Sequence, residues 1–293
     1  MNSNRISQFY CAIVVLTTAI WLGASTIDTN TAMIIMVIAI TAIGLPHGAL
    51  DFAIAQLMGL CPTPTKVTKF IIGYLLVVGA CVVFWLLFPA VALMIFVIIS
   101  AHHFASDWQG SMTYWLRLSL SSMTLCAPSI LYAPVLSDIF ALLFLSPVEI
   151  QAILFTLQVT TLVSGLFLVG AVILGRQVFK CLTDWQIGEV TVLLISSFLI
   201  TPLLHFTLYF CFLHSTKHFI HTAKALSVSL KRAIWLSLPF VFLTILGAFF
   251  IAWTGPQRWV NTALSQYLFI GLFGLTVAHM LLTEHWRFVT KTS

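Results

Sequence analysis

The chain is predicted to be all-α, a polytopic integral membrane bundle of about ten transmembrane helices with its N- and C-termini both cytoplasmic. Three observations predict this. First, 60% of the 293 residues are hydrophobic and 7% are charged, whereas a soluble domain carries about 25% charged residues. Thirteen basic and eight acidic side chains cannot cover a water-facing surface for a chain of this size. Second, the apolar stretches reach the length of about 20 residues that a helix needs to cross a bilayer. Third, the basic residues are distributed unevenly along the chain, in the way that fixes orientation.

Taken in order, ten apolar segments run roughly over residues 8–26, 31–57, 67–88, 90–108, 113–134, 149–175, 187–201, 202–226, 233–254 and 263–288. Arg5 precedes the first, and no small-x-small cleavage site follows it, so it reads as a retained helix and not a signal peptide. Cys61-Pro62-Thr63-Pro64 separates the second from the third, and Phe88-Pro89 the third from the fourth. Ser146-Pro147 opens the sixth, and Thr254-Gly255-Pro256 divides the ninth from the tenth. Thr201-Pro202 lies between the seventh and eighth, which could also form one long helix kinked at Pro202.

With the N-terminus inside, ten crossings put Arg5, Lys66, Lys69, Arg117, Arg176, Lys180, Lys217, Lys224, Lys231, Arg232, Arg287 and Lys291 on the cytoplasmic side. Of the basic residues only Arg258 falls outside, together with the acidic Asp28, Asp138 and Glu149. Asp184 and Glu189 fall inside, but the rule counts Lys and Arg alone. The net charge of +5 therefore reads as topology, and no nucleic-acid partner is expected. Cys11, Cys61, Cys81, Cys126, Cys181 and Cys211 form no CxxC pair and read as small packing residues. The chain is expected to be a single transmembrane catalytic domain over 1–293, in the cell (inner or plasma) membrane.

Nine histidines stand out in so apolar a chain, because ionisable groups at membrane depth are costly and point to function. His47, His103, His214, His218 and His279 lie 12 to 16 residues into segments that run the same way across the bilayer. At about 1.5 Å rise per residue they share a level within about one turn, which is how a bundle builds a metal site. His214 and His218 are four residues apart, so both rings leave one helix face. His47-Gly48-Ala49-Leu50-Asp51 and His103-Phe104-Ala105-Ser106-Asp107 both read H-x-A-x-D. The aspartate one turn after each histidine favours His103 over His102 and offers a carboxylate to orient a ligand ring.

The expected metal ligands are therefore His47, His103, His214 and His218. Asp51, Asp107, His102, His221 and His279 are candidates to support them from behind. His205, His279 and His285, taken singly, read more simply as hydrogen-bonded members of the bundle. Pro46 should bend the chain before His47, and Gly44 and Gly48 should allow close helix approach. All-imidazole sites suit zinc, copper, iron or nickel; in apolar surroundings that offer little to hydrolyse, a redox metal that activates oxygen fits best.

Gly44-Leu45-Pro46-His47-Gly48-Ala49-Leu50-Asp51, Ser100-Ala101-His102-His103-Phe104 and His214-Ser215-Thr216-Lys217-His218 resemble, in order and spacing, the signature blocks of the Brp/Blh family of prokaryotic membrane β-carotene 15,15′-dioxygenases. The resemblance implies a non-haem iron(II) enzyme that splits the central double bond of β-carotene with O2 into two retinal molecules. It also implies a functional link to a retinal-binding rhodopsin. Carried over, the family's iron ligands fall on His47, His103, His214 and His218. β-Carotene is about as long as the hydrocarbon core is thick, roughly 30 Å, so entry should be lateral, between helices.

Two other classes remain to be weighed. A membrane di-iron desaturase or hydroxylase would carry more histidine boxes than the one HxxxH found here. A proton or metal transporter would account for intramembrane Asp51 and Asp107, but should show a stronger repeat than a five-residue echo.

Overall fold

A computed structural model describes residues 3–23, 29–108, 112–174, 182–254 and 260–292. Among them every regular element is helical. The first is α1 (Ser3–Gly23), followed by α2 (Thr29–Ala39), α3 (Leu45–Gly48) and α4 (Asp51–Leu57). Next come α5 (Pro64–Leu87), α6 (Pro89–Phe104), α7 (Tyr114–Cys126), α8 (Pro128–Leu131) and α9 (Ala133–Leu142). The chain continues through α10 (Pro147–Ile173), α11 (Asp184–Leu199), α12 (Pro202–Thr207), α13 (Thr216–Ala225), α14 (Leu230–Thr254) and α15 (Val260–Thr292).

Proline sets many of these starts. Pro64, Pro89, Pro128, Pro147 and Pro202 each occupy the first helical position, where the missing N–H would have no partner anyway. Ser146 with Glu149 and Thr183 with Gln186 form capping boxes that open α10 and α11.

Among the described residues, six single helices are long and apolar enough to cross a membrane, lying in α1, α5, α6, α10, α14 and α15. A seventh crossing results if α7–α8 and α9, bent by 104° at Tyr132, count as one. The other three expected crossings, 31–57, 187–201 and 202–226, are shorter or interrupted helices. The reasons are local. Pro46 and a π-helical stretch at Ile40–Gly44 break the second segment. A π-helical stretch at Leu208–Ser215 breaks the eighth. Extended backbone at Ile200 and Thr201 separates α11 from α12, so the seventh and eighth segments are two helices.

π-Helical turns are rare and concentrate at functional sites. Here the two stretches pack on each other: a Cβ on Gly44 would lie 2.7 Å from a ring carbon of Phe210, so Gly44 does permit close approach. Gly48 differs from expectation. A Cβ there would meet nothing within 4 Å, because Gly48 borders a cavity.

α1 packs along α11 as part of the bundle, and its Ser7 hydroxyl donates to Glu189 at 2.7 Å. Glu189 is fully buried, and Lys217 is buried beside it, its Nζ 2.7 Å from the Glu189 carboxylate. Each charge offsets the other's desolvation. Among the described cysteines Cys126 and Cys211 are buried and none is in a disulfide; Cys181 lies outside the described residues.

Candidate metal centre

The π-helical stretch that holds His214, together with α6, α13 and α15, brings four histidine rings together. The His103 ring centroid lies 4.8 Å from His214, 5.6 Å from His218 and 5.3 Å from His279. His218 and His279 are 5.0 Å apart, and His214 and His218 6.1 Å. One ring nitrogen from each of His103, His218 and His279 falls within 4.8 Å of the others. Imidazole nitrogens about 2.1 Å from one ion stand up to about 4.2 Å apart, so this donor set fits a metal after small ring movements. The Nε2 atoms of His103, His214 and His279 are sealed from solvent.

The rings are held from behind, and by carboxylates from other helices. Asp107 lies 3.0 Å from His214 Nδ1, and the Tyr209 hydroxyl donates to the same carboxylate at 2.7 Å. Asp51 lies 2.7 Å from His279 Nδ1, and the Tyr74 hydroxyl donates to it at 2.9 Å. Both H-x-A-x-D motifs thus contribute a Tyr–Asp–His chain. A carboxylate on Nδ1 turns Nε2 inward and raises the ring's basicity.

A further layer steadies Asp107. Lys217 Nζ donates to the Asp107 carbonyl at 3.3 Å and to Glu189 at 2.7 Å. Trp108 Nε1 donates to Glu189 at 3.0 Å. Glu189 therefore has both oxygens occupied in a buried network, as buried charge requires.

An apolar cavity of about 270 Å³ adjoins the cluster, with His103, His214, His279 and Asp51 on its wall among Phe96, Phe206, Phe210 and Leu272. Imidazoles beside an apolar space, two of them backed by carboxylates, are donors that could hold a metal ion.

The model of the β-carotene 15,15′-dioxygenase family matches residues 38–287. The chain belongs to the β-carotene 15,15′-dioxygenase family. A curated relative named β-carotene 15,15′-dioxygenase, from uncultured marine bacterium 66A03, is 29% identical over 265 residues, covering 83% of this chain and 89% of the relative. No solved structure matches.

In this family member the site residues named from sequence are dispersed as follows. His103, His214 and His218 meet at one level. His47 lies on α3, with a side chain outside the described residues. His279 joins the rings directly; its lack of a same-helix motif hid it, and only its depth singled it out. His102 is exposed and shares a hydrogen bond with the Tyr114 hydroxyl at 2.8 Å, away from the cluster. His221 is exposed. His205 is a buried packing residue, 3.1 Å from both Ser196 Oγ and the Thr124 carbonyl. Tyr74, Tyr209, Glu189 and the role of Lys217 were not legible in sequence. Lys217 sits inside the H-S-T-K-H block, which was the one available signal.

Proposed function

We propose that this family member is a multi-pass enzyme of the cell membrane that cleaves the central 15,15′ double bond of β-carotene with O2. One oxygen atom ends on each half, giving two molecules of all-trans-retinal. The observation that carries the reading is the ring of imidazoles on the wall of an apolar cavity. Iron(II) is the cofactor proposed, held by His47, His103, His214 and His218, with His279, whose ring nitrogen groups with those of His103 and His218, as a fifth candidate ligand. When bound, the iron would bind and activate O2.

The chain's own residues do the rest. Asp51 and Asp107 orient His279 and His214. The aromatic wall excludes water and holds the polyene against the cluster, and positioning of this kind supplies much of the barrier reduction. Residues 1–293 act as one catalytic unit, with both termini cytoplasmic and up to ten membrane segments. The retinal released serves a retinal-binding rhodopsin.

The test uses purified chain in detergent with β-carotene and air, with no membrane potential. Two retinals per carotene and one iron per chain are expected. Two irons per chain, or apocarotenals of unequal length, would contradict the reading.

A further inference from the structure

We propose that the apolar substrate enters the cavity sideways, through a mouth between α5 and α14 at the depth of the hydrocarbon core. The inference deepens the proposed function by locating the route of a rod-like apolar polyene, and it rests on that reading.

The cavity wall carries the argument. Its deep side is formed by buried residues of α6, α15 and the π-helical stretch, including Phe96, His103, Phe210 and His279. Four lining residues are exposed, and all four lie on the same two helices: Ile71 and Leu75 on α5, Leu243 and Thr244 on α14. A residue that both lines a cavity and faces outward marks its rim. The opening is therefore lateral, on the lipid-facing side of the bundle.

Depth follows from position along the helices. Leu75 is the twelfth residue of the 24 in α5, and Leu243 the fourteenth of the 25 in α14. Mid-helix positions in spans of this length lie near the bilayer centre. Polar solutes are scarce there, while a hydrocarbon polyene dissolves there. α5 rests on α15 and α6, and α14 rests on α3, α13 and α15, so the two helices flank the gap with α15 as a shared neighbour.

Aromatic rings close the gap on the N-terminal side of both helices. Phe52 lies 6.3 Å from Phe70 of α5 and 5.7 Å from Phe240 of α14. The chain of rings ties α5 to α14 through α4 and leaves the gap open about one turn farther along, at Leu75 and Leu243.

The test follows uptake separately from cleavage. Iron-loaded full chain is mixed without O2 with phosphatidylcholine vesicles containing β-carotene, and protein-bound carotene is read by absorption. The rim pair Leu75→Trp with Leu243→Trp is compared with Leu76→Trp with Leu246→Trp, exposed neighbours that do not line the cavity. The rim pair should take up carotene about tenfold or more slowly, while the neighbour pair stays within about twofold of the parent, both with unchanged iron content. Equal rates in the two pairs, or a parent chain that takes up no carotene, would overturn the mouth. Admitting O2 then tests the reaction alone: uptake without retinal would sink the proposed function and leave the mouth standing.

Discussion

Asp107 serves a histidine of another helix: its carboxylate lies 3.0 Å from Nδ1 of His214. Asp51 repeats the relation with His279 at 2.7 Å. The aspartate of each H-x-A-x-D motif therefore ties a distant helix into the cluster.

Removing the charge without the volume tests this tie. Asp107→Asn and Asp51→Asn should each lower iron affinity by about 10–100-fold, the usual cost of losing a carboxylate behind a ligand ring. Tyr209→Phe removes one hydrogen bond to the same carboxylate, a loss of about 1 kcal/mol, and should weaken iron binding only several-fold. Iron titration of chelator-stripped protein reads all three. Unchanged affinity in both aspartate variants would mean that the Asp–His contacts do not orient ligands.

The Lys217–Glu189 pair makes a prediction about stability. Glu189→Gln leaves a buried ammonium without its counter-charge and should cost about 3–5 kcal/mol. The double variant Glu189→Gln with Lys217→Met removes both charges and should recover most of that loss. Thermal unfolding in detergent, followed by circular dichroism, gives the comparison. A single variant as stable as the parent would show the pair to be dispensable.

The two glycines around Pro46 should respond differently. Gly44→Ala puts a methyl group 2.7 Å from the Phe210 ring, which is itself stacked between Phe206 at 5.4 Å and His214 at 5.8 Å. Overpacking of this kind costs about 1–3 kcal/mol and should disturb iron binding through His214. Gly48→Ala meets open space and should keep the parent's melting temperature within about 1 kcal/mol in stability terms. Equal destabilisation of the two would contradict the packing described for Gly44.

Much of this architecture was legible in the sequence, and its limits have physical causes. Length and hydropathy reveal helices, so the long apolar segments were found, whereas the ten-residue α9 (Ala133–Leu142) was not. They do not reveal π-helical turns at Ile40–Gly44 and Leu208–Ser215, which arise from tertiary packing, and so they overstate the number of unbroken crossings. Residues at a common depth on parallel segments meet, which is why His103, His214 and His218 could be grouped and His279 kept in view. Depth carries no information about rotation around a helix, so the partners of Asp51 and Asp107 stayed open until the helices were placed. Glu189 and Lys217 were counted only as cytoplasmic-side charges, because one sequence does not show that two opposite charges lie on facing helices.

The central claim is that the histidine cluster carries out central cleavage, and cells that accumulate β-carotene test it most directly. Expressing the parent chain should bleach them and yield two retinals per carotene lost. His103→Ala should abolish retinal and bound iron together, while His102→Ala keeps both. Retinal formed by folded His103→Ala protein, or orange cells without retinal despite iron-loaded parent chain, would contradict the account.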